Sequence, residues 1–179
     1  MLSLISKINP DELIVPPVNF SLVAKGIYRG SYPNFRNFSF LKHLELKTVL
    51  FLSPEDYPPK NLRFLKENGI NLITVQMEGN KEPFKTIPRE QMIEALKHLV
   101  DVRNHPVFVH CNKGTHLTGT VIGCLRKLQM WSLSSIFEEY QRFAGAKARQ
   151  IDEQYIELFE VPNDQFDKNY YPSWLKEFD

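Results

Sequence analysis

The chain has 179 residues, 42% of them hydrophobic, which is enough for a substantial core in a single domain. Its 22 Lys and Arg against 21 Asp and Glu leave a net charge of +1, which excludes global steering towards nucleic acid or a membrane, so any anion preference must come from a local site. The two cysteines, Cys111 and Cys124, do not read as a disulfide framework and suggest a reducing compartment.

Near the N-terminus, Lys7 and Asp11 interrupt any apolar run, so no signal peptide is read there. No segment approaches the ~20 apolar residues of a membrane span. A soluble cytosolic or nuclear protein is expected. Residues 1–14 are predicted to be a tail and 15–179 one domain, with Pro16-Pro17 stiffening the junction. Gly26–Arg29 is a short strand candidate, and Ser39 is expected to cap a short helix through Leu46. Thr48–Leu52 is a continuous apolar run typical of a buried strand. Pro58-Pro59 opens a helix ending near Asn68, with Gly69 as its stop signal. Asn71–Met77 is the next strand. Pro88 starts a helix with Met92, Ile93, Leu96, Leu99 and Val100 on one face, and Asn104-His105-Pro106 ends it. Val107–Val109 is another buried strand. Thr118–Met130 is a helix with Val121, Ile122, Leu125 and Leu128 facing inward. Ser132–Phe143 and Gln154–Phe159 are further helices, and the aromatic end Tyr170–Leu175 is expected to pack back on the domain. This alternation argues an α/β domain with a central, largely parallel sheet flanked by helices.

One stretch carries chemistry: Val107-Phe108-Val109-His110-Cys111-Asn112-Lys113-Gly114-Thr115-His116-Leu117-Thr118-Gly119. A buried strand runs into a loop with a cysteine and a glycine, and then into a helix. In open α/β sheets anions bind beyond the carboxyl ends of strands, which is where Cys111 falls. Loop N–H groups and the helix N-terminus together make an anion site. The same positive field lowers a thiol pKa and yields a thiolate nucleophile. A lone cysteine after a strand is more often a small buried hydrophobe. His110, Gly114 and Thr118-Gly119 around it favour the site. Cysteine phosphatases, however, need His-Cys-x5-Arg, and the sixth position after Cys111 is Leu117.

A wider pattern agrees with the loop. Pro16-Pro17-Val18-Asn19-Phe20, Ile27-Tyr28-Arg29, Asn37–Leu41, Pro54–Pro58, Gly79–Phe84, Gly123–Gln129, Trp131–Leu133, Glu139–Phe143 and Ala146–Arg149 follow in order. With these segments the chain, from about Val15 to about Phe159, resembles the plant-and-fungal atypical dual-specificity phosphatases, a group that includes inositol pyrophosphate phosphatases. The resemblance implies a cysteine-phosphatase fold with no metal or other cofactor. It implies anionic phosphorylated substrates: a phosphorylated small molecule such as an inositol pyrophosphate, or a phosphoprotein carrying phosphotyrosine or phosphoserine. Neither nucleic acid nor a membrane is expected as a partner.

That family's loop reads His-Cys-x-x-Gly-Lys-His-Arg-Thr-Gly. Here Thr115 stands for its lysine and Leu117 for its arginine, so two cations are missing from one anion site. The resemblance carries over Cys111 as nucleophile and His110 as organiser of the loop. It makes Asn112, Lys113, Gly114, Thr115, His116, Leu117 and Thr118 the phosphate-binding set, with Lys147 and Arg149 as a basic pair leaning over the pocket. Ester cleavage also wants a carboxylic acid on a loop to protonate the leaving oxygen. Glu78 and Glu82 follow one strand, Glu55 and Asp56 another, and spacing selects none of them. Glu82 and Asp56 are the two candidates. The chain is thus expected to be a phosphatase severely slowed by Leu117 and Thr115. The alternative is an inactive pseudophosphatase that serves as a binding or scaffold subunit with protein partners.

Overall fold

The computed structural model describes residues 13–162 and 164–176. The tail expected over residues 1–14 lies outside them except for Leu13 and Ile14. In chain order the elements are β1 (Ser21–Ala24), β2 (Ile27–Gly30), α1 (Phe38–His43), β3 (Thr48–Leu52), α2 (Pro59–Glu67), β4 (Asn71–Val75), α3 (Arg89–Val100), β5 (Val107–His110), α4 (His116–Leu128), α5 (Leu133–Ala144), α6 (Gln150–Leu158) and the short α7 (Ser173–Lys176). The strands form one sheet in the order β1-β2-β5-β3-β4. β1 pairs antiparallel with β2, and the other pairings are parallel. The expected α/β architecture with a largely parallel central sheet is present.

Alternation along the strands divides the core into two layers. Leu50, Leu52, Val107 and Val109 face Met92, Leu96, Val121, Ile122, Leu125, Ile136 and Ile156 from α3 to α6. Val49, Phe51 and Phe108 face Leu41 of α1 and Phe64 and Leu65 of α2. β3 and β5 are buried along their whole length, as a strand covered on both faces must be. Arg126 ties α4 to α5 through a buried fork to Glu139, with both N···O distances 2.8 Å. At the C-terminal end Tyr171 and Leu175 are buried, and Trp174 Nε1 donates to the Lys25 carbonyl at 3.1 Å.

Several boundaries differ from the sequence reading. β1 was not anticipated: it is an edge strand with Val23 as its one buried residue, so it has no apolar run to announce it. α1 begins at Phe38 and ends at His43, so Ser39 lies in its first turn rather than at its cap. Asn34 caps the preceding 3-10 turn, its side chain accepting from Arg36 N. β4 ends at Val75, although Met77 beyond it is still buried. α6 starts at Gln150, four residues before the expected Gln154, because no side chain caps its N-terminus and marks it. α2 ends as expected at a left-handed Gly69, where Ile70 N donates to the Leu65 carbonyl and Gly69 N to that of Lys66. Among the described residues no helix is long and apolar enough to cross a membrane.

Candidate active site

β5 delivers Cys111 to the carboxyl edge of the sheet, and α4 begins at His116, two residues before the expected Thr118. The loop between them is pinned from β2 and its following turn. Tyr32 N donates to the Asn112 carbonyl at 3.2 Å, and Arg29 Nη2 donates to the Gly114 carbonyl at 3.0 Å. Gly114 has φ +66°, and a Cβ there would lie 2.7 Å from Ser31 N and closer still to the Gly30 carbonyl. The loop therefore needs glycine both for its left-handed turn and for the approach of two backbones.

His110 is fully buried, with the rings of Tyr32, Phe51, Tyr57 and Phe108 at centroid distances of 5.1–5.6 Å. Its Nδ1 lies 3.1 Å from the Cys111 carbonyl and its Nε2 3.1 Å from Tyr57 Oη. A carbonyl can only accept, so Nδ1 carries the proton and Nε2 accepts from the tyrosine. Burial pushes the imidazole down to about 4, so the ring is neutral at physiological pH. His110 therefore gives the loop a hydrogen bond and no charge.

A cavity of about 330 Å³ opens over Cys111. Asn112, Lys113, Thr115, His116 and Leu117 line it from the loop, Leu52–Glu55 from the end of β3, Glu78, Gly79 and Lys81 from beyond β4, and Arg149 from before α6. Cys111, most of the anticipated phosphate-binding set and Arg149 are thus brought together. Gly114 and Thr118 are buried behind this surface. Thr118 is the third residue of α4, whose N-cap is Thr115, and its Oγ1 has no hydrogen-bond partner among the described residues. Lys147 is exposed and outside the cavity; its carbonyl accepts from His116 Nε2 at 2.7 Å. Glu82 and Asp56 are exposed and also outside it, whereas their neighbours Glu78 and Glu55 are on its wall. Glu78 is paired with Lys85 and lies 4.0 Å from Lys81, contacts that hold its carboxyl below the usual carboxylate range. It is ionised at neutral pH and is not a proton donor there. Among the described residues no cluster of three His, Cys, Asp or Glu could hold a metal ion.

The sequence profile described as "Tyrosine phosphatase family" matches residues 14–177. The chain belongs to the tyrosine phosphatase family. Within it, the relatives place it among the plant and fungal atypical dual-specificity phosphatases. It is 52% identical over 151 residues to Inositol diphosphatase DSP1 of Oryza sativa subsp. japonica, covering 84% of this chain and 68% of that protein. It is 53% identical over 148 residues to Inositol diphosphatase SIW14 of Saccharomyces cerevisiae, covering 82% of this chain but 53% of the yeast protein. The solved Siw14 catalytic core matches with a TM-score of 0.80 at 50% identity, over 84% of this chain and 89% of that one. The P. aeruginosa TpbA structure, at 20% identity and a TM-score of 0.65, shares the fold.

In this tyrosine phosphatase family member, a buried polar network that sequence reasoning missed fixes the wall opposite the loop. Asn80 Nδ2 donates to Asp152 Oδ1 at 2.8 Å, and Tyr140 Oη donates to Asp152 Oδ2 at 2.6 Å. Ile87 N donates to Asn80 Oδ1 at 2.8 Å, and Arg149 N donates to Tyr140 Oη at 3.3 Å. Asn80, Tyr140 and Asp152 are all buried. The network couples the loop after β4 to the start of α6, so it positions Lys81 and Arg149 together. Its members are up to 72 residues apart, and no local pattern could reveal them.

The two thiols should react very differently. Cys124 is fully buried, and burial pushes its thiol well above the usual range. Cys111 opens on the cavity. Iodoacetamide at neutral pH should label Cys111 and leave Cys124 untouched in the folded protein, with inorganic phosphate slowing the reaction. Peptide mass spectrometry would read this, and equal labelling of the two would mean that the loop does not form an anion cradle.

Proposed function

We propose that the chain is a cysteine-dependent phosphatase of phosphorylated anions, inositol pyrophosphates first among them, slowed severely by Leu117 and Thr115. The observation that carries this reading is Cys111 in a cavity that also receives the start of α4 and the cations Lys81, Lys113 and Arg149. The Cys111 thiolate attacks phosphorus, the bond to the leaving oxygen breaks, and water then hydrolyses the S–P bond of the phosphocysteine. The names of the relatives favour a diphosphate as substrate. A phosphate leaving group is less basic than an alkoxide and has less need of a general acid. That suits a cavity where Glu78 is held ionised by Lys85.

Leucine at position 117 offers neither charge nor donor. Loss of one transition-state donor costs ~10²–10³ in rate, and loss of an arginine finger ~10³–10⁵. The loop amides and Arg149 remain for ground-state binding. A second reading, a non-catalytic anion-binding subunit, draws support from the packing of Leu117 against the apolar core.

Phosphate release from an inositol pyrophosphate and from an aryl phosphate, each compared with Cys111→Ser, separates the two. Slow turnover that depends on Cys111 supports the enzyme. Turnover equal to that of Cys111→Ser, with phosphate still protecting Cys111 from alkylation, supports the binding subunit.

A further inference from the structure

Arg29 of β2 is the bulkiest fully buried side chain among the described residues, 1% exposed. On a strand it shares a face with Ile27, and therefore with Val109 and Cys111, in the layer that includes α4. Its Nη2 donates to the Gly114 carbonyl, and its guanidinium lies 3.9 Å over the Phe143 ring. The same Nη2 would lie 3.8 Å from a Cβ on Gly119, so it rests against the first turn of α4. Nε and Nη1 have no hydrogen-bond partner among the described residues. Glu139 faces Arg29 at longer range, but both its carboxylate oxygens are committed to Arg126. Arg126 and Arg142 add like charge. Burial lowers the Arg29 guanidinium to about 10, so it still carries its charge at neutral pH.

A buried cation without a bonded carboxylate is costly. It becomes tolerable when an anion forms nearby, and Cys111, which follows Val109 on the same face of the sheet, is the acid placed to supply one. The carbonyl it holds belongs to the loop that must present its N–H groups, not its oxygens, to an anion. We propose that Arg29 is a positioning residue of the loop, fixing the Gly114 carbonyl and holding Cys111 as thiolate where leucine occupies position 117. The inference rests on the reading of Cys111 as the loop thiolate, but not on turnover.

The test is the pH dependence of Cys111 alkylation by iodoacetamide in the full chain, in Arg29→Met and in Arg29→Lys, with and without inorganic phosphate. Glu55, Glu78, Lys81, Lys113, His116 and Arg149 also face Cys111, and they are common to all three proteins. Arg29→Met should shift the midpoint of labelling upward by about one pH unit, which slows labelling about tenfold at a pH below both midpoints. Arg29→Lys keeps the charge but loses the guanidinium, so it should keep the midpoint and weaken phosphate protection. A merely structural arginine would alter melting and Cys124 protection and leave the Cys111 midpoint in place. An Arg29→Met protein that folds, shields Cys124 and retains the original midpoint overturns the proposal. If Arg29→Met does not fold, Arg29→Lys decides by phosphate protection alone: weakened protection with Cys124 still shielded supports the proposal, and unchanged protection overturns it. If neither folds, Arg29 belongs to the stability of the core and the proposal fails. Because hydrolysis is not measured, a chain that turns over nothing still tests Arg29.

Discussion

Leu117→Arg should raise hydrolysis of an inositol pyrophosphate or an aryl phosphate by at least ~10²-fold, mostly in kcat. Leu117 lines the cavity and faces Gly79, whose Cβ position would lie 3.8 Å from Leu117 Cγ. The facing glycine leaves room for a longer side chain. A guanidinium there can take two phosphoryl oxygens with a fork that tightens as phosphorus becomes trigonal. Thr115→Lys should behave differently. A lysine is a point charge that attracts ground and transition states alike, so it should lower KM for highly charged substrates with little gain in kcat. Thr115 is 8% exposed, so the lysine has to rise out of the loop to act. The double variant should exceed either single one. Adding Cys111→Ser to Leu117→Arg should abolish turnover and leave phosphate binding. A folded Leu117→Arg protein that stays inactive on aryl phosphates, pyrophosphates and phosphopeptides would shift the reading to the binding subunit.

The parts of the fold legible in the sequence were those written in contiguous residues. β3 and β5 carry the apolar runs Val49–Leu52 and Val107–Val109, and the Pro59 start and Gly69 stop of α2 are local chemistry. β1 has one buried residue, and α6 starts without a cap, so neither announces itself. The loop from His110 to Thr118 was legible for the same reason: strand, turn and helix follow one another without interruption. What surrounds it was not. Glu55 and Asp56 are neighbours in sequence, yet only the first lines the cavity, because the path of a loop is set by tertiary packing. Lys147 and Arg149 are two apart, but the chain between them turns from a 3-10 helix into extended backbone, and only Arg149 reaches the cavity. Arg29 is 85 residues from the carbonyl it holds, so its place in the site exists only in the folded chain.

Gly114→Ala should be strongly damaging, and Gly69→Ala shows why. Both glycines have positive φ, +66° and +64°. An alanine in that region costs roughly 1–2 kcal/mol for the backbone alone. At Gly69 no atom lies within 4 Å of the added methyl, so this strain is the whole effect, and the anion site is untouched. At Gly114 the methyl meets the Gly30 carbonyl and Ser31 N, which are backbone atoms and have no rotamer to move into. Overpacking adds roughly 1–3 kcal/mol, so the loss should reach about 2–5 kcal/mol in total. The loop can relieve the clash only by lifting away from β2, which breaks the Arg29–Gly114 bond and the Tyr32–Asn112 bond together. Phosphate protection of Cys111 should then disappear, and its alkylation should fall towards that of an ordinary thiol. Denaturant melts and the alkylation assay on the two variants side by side would measure this. If Gly114→Ala is no less stable than Gly69→Ala and keeps phosphate protection, the close packing of the loop on β2 is not what shapes the cradle.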